Sequence, residues 1–171
     1  MSSDDLKVMV IDDSVMARKL LTDALNGVPG IELVATAPNG RLALQKIAQA
    51  PPDVVVVDLE MPEMDGIELV AALRDRHQGI RVLIHTASGP MAQARAVEAL
   101  TLGANDILLK PQLPRASLEA QARAVRDRLV PTILQFHRPR RAGGGSGPLG
   151  QLSGPRPEVL VIAVSTGGPE A

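Results

Sequence analysis

The chain has 171 residues, a formal net charge of −1 and 45% hydrophobic residues, so it can bury a sizeable core. The core must be aliphatic, because Phe136 is the single aromatic residue, and the lack of cysteine excludes disulfides and thiolate metal sites. The lack of Trp and Tyr argues against a base-stacking platform for nucleic acid. The sequence shows neither a signal peptide nor an apolar run of about 20 residues, so we expect a cytoplasmic protein without membrane insertion.

Residues 1–111 alternate between short β-branched runs and longer stretches rich in Ala, Leu, Arg and Gln. This alternation predicts strands separated by helices, which is typical of a doubly wound parallel sheet. The predicted strands cover residues 7–11, 32–37, 54–58, 81–86 and 106–109. The predicted helices cover residues 14–25, 40–49, 66–76 and 90–102. The unbroken "VVVV" at 54–57 indicates a central strand that is buried on both faces.

A fifth helix is predicted to start near Ser117. Its apolar residues follow helical spacing and form one stripe. The stripe consists of Leu118, Ala122, Val125, Leu129, Ile133 and Phe136. Because proline removes a helix hydrogen bond and clashes with the preceding turn, Pro131 predicts an end or a kink at Val130.

The composition changes after this helix. Residues 138–157 consist mostly of Gly, Pro and Arg, which predicts a flexible linker, and an apolar run at 159–164 predicts a further strand. We therefore divide the chain into a domain over 1–130, a linker over 131–157 and the start of a truncated α/β domain over 158–171. Residues 115–141 carry 7 Lys/Arg against 2 Asp/Glu, which we interpret as a solvated helix face rather than a site for nucleic acid or acidic lipid.

Five polar or charged residues fall at the carboxyl ends of the predicted strands, where doubly wound sheets bind ligands. They are Asp12, Asp13, Asp58, Thr86 and Lys110. Three carboxylates so close together need a cation, and oxygen ligands without Cys or His favour Mg²⁺ or Mn²⁺ over zinc. A metal-bound carboxylate, an ammonium and a hydroxyl are suited to phosphorylation of an aspartate. The alternative interpretation is that these residues are helix caps and loop charges.

Four segments carry a resemblance to a known family: "VMVIDDSVMARK", "VVVVDLEMPEMDGIEL", "LIHTASG" and "GANDILLKP". Over about residues 5–130 the chain resembles the receiver domain of two-component response regulators. The resemblance implies a flavodoxin-like α/β fold, a five-stranded parallel sheet of order 2-1-3-4-5 with five helices. It also implies a histidine kinase as the phosphoryl donor.

The resemblance assigns roles at the strand ends. Asp58 would accept the phosphoryl group, and Mg²⁺ would lie among Asp12, Asp13, Asp58 and the backbone carbonyl of Glu60. Thr86 would be the switch hydroxyl and Lys110 the lysine that contacts phosphate. The family's Lys–Pro bond is usually cis, so a cis bond is expected between Lys110 and Pro111.

Other positions have local interpretations. Receivers often carry Tyr or Phe where this sequence has Ile107, and an aliphatic side chain cannot act as a rotating aromatic lever. Pro62 is expected to fix the loop after the third strand, and Gly66 to relax the turn into the third helix. We expect His85 to be a packed strand residue rather than a metal ligand.

The segment "VSTGGPEA" places Ser165 directly after the last predicted strand, on a turn of small residues. Thr166, Gly167 and Gly168 would let backbone amides approach an oxyanion, although Ala163 replaces the first glycine of a G-x-S-x-G elbow. A receiver, a linker and then S-T-G-G resembles the protein-glutamate methylesterases of chemotaxis. The resemblance implies that Ser165 is a nucleophile for methylated chemoreceptors, with glutamine deamidation in some members, under control of the chemotaxis histidine kinase.

No His or Asp follows Ser165, and a serine without a base is a weak nucleophile, so we predict no esterase activity for the chain as given. Three alternatives remain. One is a stand-alone receiver that signals by binding other proteins. A DNA-binding regulator is disfavoured because no helix-turn-helix follows residue 141. A Mg²⁺-dependent phosphatase is disfavoured by the paired Asp12–Asp13 and by "MPEMDG".

Overall fold

The computed structural model describes residues 5–112 and 116–137. Its five strands form one parallel sheet in the order β2-β1-β3-β4-β5, which confirms the predicted topology. The strands are β1 Leu6–Ile11, β2 Ile31–Ala37, β3 Val54–Val57, β4 Arg81–Thr86 and β5 Asp106–Leu109. The helices are α1 Val15–Leu25, α2 Gly40–Gln49, α3 Gly66–Arg76, α4 Pro90–Thr101 and α5 Leu118–Leu134. The predicted linker from residue 138 on, the last strand and the turn at Ser165 lie outside the described residues.

Side-chain caps explain where α1, α2, α3 and α5 begin. The Ser14 hydroxyl accepts a hydrogen bond from the Ala17 amide at the start of α1, so α1 begins one residue later than predicted. The Ser117 hydroxyl accepts in the same way at the start of α5. A capping box between Asp65 and Glu68 starts α3. Polar caps satisfy amides that lack a partner inside the helix, and each contributes about 1 kcal/mol.

The sheet separates two aliphatic cores. All four residues of β3 are fully buried, as the "VVVV" run predicted. One core lies on the side of α2, α3 and α4, and the other on the side of α1 and α5. Within the described ranges, no helix is both long and apolar enough to cross a membrane.

The fifth helix does not end at Val130, because α5 continues through Pro131 to Leu134, whereas the alternative of a kink at Val130 stays a prediction. Leu129 and Ile133, on either side of the proline, are fully buried in the core against α1. Burying a side chain of this size contributes roughly 1.5–3 kcal/mol, which offsets the lost hydrogen bond.

The expected cis bond before Pro111 is wrong. No cis peptide bond occurs in the described ranges, which include Lys110 and Pro111. An X–Pro bond favours the trans form by about 0.5–1 kcal/mol unless its surroundings select cis. The Lys110 amide donates to the Thr86 carbonyl at 2.8 Å, which extends the pairing of β4 with β5 to the residue before this trans bond.

The loop between β3 and α3 is tightly closed. The Gly66 amide donates to the Leu59 carbonyl at 3.2 Å. A Cβ at Gly66 would lie 2.4 Å from the Asp58 carbonyl oxygen, so this position requires glycine for close approach rather than for an unusual dihedral angle. The left-handed backbone of the loop is at Glu63, with φ 68°. Pro62 accepts a hydrogen bond from the Met64 amide at 2.8 Å within the same turn.

This close approach predicts that Gly66→Ala lowers the free energy of unfolding by roughly 1–3 kcal/mol, because the added methyl group meets rigid backbone. The matched control is Gly79→Ala, where a Cβ would meet nothing within 4 Å and the stability should be unchanged or slightly higher. Urea unfolding of the three proteins measures the difference. Equal stability of the Gly66→Ala and Gly79→Ala proteins would contradict the prediction.

Candidate functional site

Strand register brings Asp12 and Asp58 together. Ile11 pairs with Val57 in neighbouring strands, and the next residue of each strand is an aspartate. The Asp58 amide donates to the Ile11 carbonyl at 2.9 Å, which continues the ladder by one step. Both aspartates are almost fully buried, with exposed fractions of 1% for Asp12 and 5% for Asp58. The backbone thus fixes two carboxylates side by side at the carboxyl edge of the sheet.

Strands β4 and β5 deliver a hydroxyl and an ammonium to the same carboxyl edge of the sheet. Thr86 ends β4 and pairs with Leu109 of β5, so Lys110 follows directly beside it. The Lys110 ammonium donates to Asp58 Oδ2 at 2.7 Å and to Asp12 Oδ2 at 3.0 Å. Four of the five predicted site residues are therefore linked by the sheet and by these two bonds.

The fifth predicted residue, Asp13, completes a cluster of carboxylates. One oxygen each from Asp12, Asp13 and Asp58 lie within 4.8 Å of one another. Asp13 is exposed, whereas its two partners are buried, so the cluster opens to solvent on one side. Hard oxygen donors in this arrangement suit Mg²⁺, and so the residues present fit the ion that receivers bind.

The buried charges at the site are unevenly balanced. Burial raises the pKa of the Asp12 carboxyl, and the charge of Asp58 adds to the rise while Lys110 opposes it. Burial alone would lower the pKa of Lys110, but its hydrogen bond to Asp58 and the charges of both carboxylates raise it. Both pKa values are raised, which disfavours the ionised form of Asp12 and favours the ionised form of Lys110. An ionised Asp12 therefore opposes folding as the pH rises through its folded pKa, and a bound cation would relieve this.

The Thr86 hydroxyl is fully buried and has no hydrogen-bond partner among the described residues. Leaving a buried hydroxyl unpaired costs about 1–3 kcal/mol, so such groups are uncommon unless a ligand engages them. Glu60 is exposed, and its amide lies 3.5 Å from Asp58 Oδ1. The role of its carbonyl as a metal ligand remains a prediction.

Sequence reasoning missed several contacts around the site. Arg18, one turn into α1, donates from Nη1 to the carbonyls of Asp12 at 2.5 Å and Asp13 at 2.9 Å. The Gln112 amide donates to the Ser88 hydroxyl, which joins the loops after β5 and β4. The position of Arg18 shortly after the aspartate pair was a signal within the sequence. No local pattern signals the second contact, because its partners are 24 residues apart.

His85 is a packed strand residue, as expected. It is 2% exposed, and both ring nitrogens lack a hydrogen-bond partner among the described residues. Burial lowers the pKa of His85 to about 3, with further lowering by the charges of Lys110 and Arg128. The imidazole is therefore neutral at physiological pH.

This environment predicts an acid-dependent loss of stability that His85→Leu should reduce. Between the free value of 6.5 and the folded pKa of about 3, the unfolded chain binds a proton that the folded chain does not. The contribution of His85 is complete above pH 6.5 and is lost as the pH falls, by up to about 1.4 kcal/mol per pH unit. Between pH 7 and pH 5, the variant should lose about 2 kcal/mol less stability than the native chain in urea unfolding. Equal losses would contradict a buried neutral imidazole.

Comparison with known proteins places this geometry in a family. Residues 8–122 match the family model described as the response regulator receiver domain. A protein-glutamate methylesterase/protein-glutamine glutaminase of Nocardioides sp. is 41% identical over 97% of this chain and 49% of its own length. The chain spans about half the length of the curated relatives it matches.

Solved structures agree with the sequence relatives. The response regulator domain of Thermotoga maritima CheB is 30% identical, with a TM-score of 0.68 over 78% of this chain and 96% of that one. The CheX–CheY–BeF₃–Mg²⁺ complex of Borrelia burgdorferi is 30% identical, with a TM-score of 0.56 over 70% of this chain and 88% of that one. The chain therefore belongs to the response regulator receiver domain family, and its receiver is of the CheB type found in chemotaxis.

Proposed function

We propose that Asp58 accepts a phosphoryl group from a chemotaxis histidine kinase, with Mg²⁺ held by the site. Asp12, Asp13, Asp58 and the backbone carbonyl of Glu60 would hold the ion. The observation that carries the proposal is the cluster of three carboxylates, each with an oxygen within 4.8 Å of the others, two of which accept hydrogen bonds from the Lys110 ammonium. A related CheY was crystallised with BeF₃ and Mg²⁺, which supports the same use of the site here.

In the proposed transfer, a carboxylate oxygen of Asp58 attacks the phosphorus atom of the donor. The bond from phosphorus to the leaving nitrogen of the donor breaks, and that nitrogen keeps the bonding electron pair. Lys110 supplies positive charge to the phosphoryl oxygens, and the Thr86 hydroxyl, which has no partner among the described residues, donates a hydrogen bond to one of them. Bound Mg²⁺ supplies further charge neutralisation. The burial of Asp58 limits the access of water to the acyl phosphate.

Labelling of the chain tests this proposal. Incubation with Mg²⁺ and acetyl phosphate should attach one hydroxylamine-sensitive phosphate, because an acyl phosphate forms at Asp58. Asp58→Asn should abolish the label, since an amide oxygen is a poor nucleophile. Asp23→Asn is the control, because Asp23 lies on the exposed face of α1 in an ion pair with Lys19. Undiminished label in the Asp58→Asn protein would place the acceptor elsewhere.

We also propose that the receiver controls an attached protein-glutamate methylesterase, with Ser165 as its nucleophile and Thr166, Gly167 and Gly168 near its oxyanion. Relatives that are protein-glutamate methylesterase/protein-glutamine glutaminases match this chain over 97% and 100% of its length, which supports this. The sequence division starts the linker at residue 131, but α5 continues to Leu134, so the proposed receiver extends to the end of α5, followed by a linker up to residue 157 and a catalytic part from 158. Methylated chemoreceptors would be the substrates, in the cytoplasm, with glutamine deamidation as a second activity.

A chimaera tests the control. The 171 residues joined to the remaining half of the Nocardioides relative should release methanol from methylated receptors, and acetyl phosphate should increase the release. Ser165→Ala should abolish all release, and Asp58→Asn should abolish the increase alone. Release that is the same with and without phosphodonor would contradict control by the receiver.

A further inference from the structure

An ion pair joins α4 to Asp65, the residue directly before α3. Arg95 Nη2 donates to Asp65 Oδ2 at 2.5 Å, and the two side chains are 31% and 32% exposed. The residues are 30 positions apart in the chain. A charge-assisted bond that is partly shielded from solvent is stronger than a fully exposed pair, so this contact can hold the two elements in one arrangement.

Asp65 also forms the capping box at the start of α3. Its Oδ1 accepts from the Glu68 amide at 2.9 Å, and its own amide donates to Glu68 Oε2 at 3.0 Å. Both carboxylate oxygens are therefore in use, one in the cap of α3 and the other on Arg95. A movement of Arg95 would act on the start of α3 through this single carboxylate.

The start of α3 is in turn fixed to the acid site. Gly66 directly follows Asp65, its amide donates to the Leu59 carbonyl, and its backbone lies against the Asp58 carbonyl. Asp58 and Glu60 flank Leu59. The segment that carries two proposed Mg²⁺ ligands, Asp58 and Glu60, is therefore held in place by Gly66, the residue next to Asp65.

Arg95, the other partner of the ion pair, lies on α4, which follows the loop after Thr86. Helix α4 begins at Pro90, four residues after Thr86, and its N-cap Gly89 makes no side-chain capping bond. Without a cap, the start of α4 has less local support. Arg95 provides a sideways attachment within the second turn of this helix.

From these contacts we propose that Arg95 is a positioning residue that couples the placement of α4 to the Mg²⁺ affinity of the acid site. The inference rests on the proposed function, because it assumes that the carboxylate cluster holds Mg²⁺. Coupling between two sites is reciprocal. A partner that moves α4 would therefore change the Mg²⁺ affinity by the same factor by which Mg²⁺ changes the affinity for that partner.

Two variants that change the charge in opposite directions distinguish a positioning role from a purely electrostatic effect on the bound ion. Arg95→Ala removes a positive charge, and Asp65→Asn removes a negative charge while its side-chain oxygen can still cap α3. Loss of positioning should weaken Mg²⁺ binding in both, by roughly threefold or more. A field effect would move the two dissociation constants in opposite directions. Arg95→Lys should restore part of the affinity.

The control is Arg41→Ala. Arg41 forms a looser pair with Glu63 of the same loop, at 3.9 Å, with both side chains more than half exposed. The Arg41→Ala substitution makes the same charge change as Arg95→Ala but leaves the pair of Arg95 with Asp65 intact. The Mg²⁺ dissociation constant of the Arg41→Ala protein should therefore stay within the error of the native value. Mg²⁺ titration of isotope-labelled protein, followed by NMR, measures all of these constants.

A second readout needs no metal. In chelator, the amides of Gly66 and Glu68 should exchange faster in Arg95→Ala than in the native chain, because the loop loses its attachment. Faster exchange together with weaker Mg²⁺ binding in both variants supports the inference. Unchanged Mg²⁺ affinity, or shifts of opposite sign, overturns it, even if exchange is faster. Labelling of Arg95→Ala by acetyl phosphate at saturating Mg²⁺ should still reach the native level. If the native chain is not labelled, the proposed function itself fails.

Discussion

The rest of the site depends on the two hydrogen bonds that the Lys110 ammonium donates to Asp12 and Asp58. Two buried carboxylates side by side repel each other, and burial makes their ionised forms costly. One lysine compensates part of this charge, and the remaining negative charge attracts a cation. The sheet register makes this arrangement unavoidable, because the ladder itself brings both aspartates and Lys110 to one edge.

The loops around this edge are tied by side chains rather than by the ladder. Arg18 holds the carbonyls of the aspartate pair, and Gln112 joins the loops after β5 and β4. Arg95 joins α4 to the loop after β3. These contacts lie outside the strands, where a change in position costs less than a change in register. If Arg95 positions the loop after β3 as proposed, a signal at the acid site would reach α4 through this ion pair, although Ile107 stands where many receivers have an aromatic residue.

Much of the fold was predictable because local and tertiary preferences agree. Strand bounds differ from the predicted ones by no more than one residue, since β-branched runs both favour strands and fill the buried sheet. Pro131 shows the opposite case: the local rule predicts an end or a kink, but α5 continues beyond the proline, where Ile133 is buried in the core. The site carboxylates were predictable from strand ends, whereas the pair of Arg95 with Asp65 depends on how α3 and α4 pack.

The measurement that tests the central claim most directly is the location of the phosphoryl group. The chain is incubated with Mg²⁺ and acetyl phosphate and reduced with borohydride, which converts an aspartyl phosphate to homoserine, and its peptides are then sequenced by mass spectrometry. Homoserine at residue 58 alone is the result that this account predicts. Homoserine at residue 12 or 13, or none at residue 58, would contradict it.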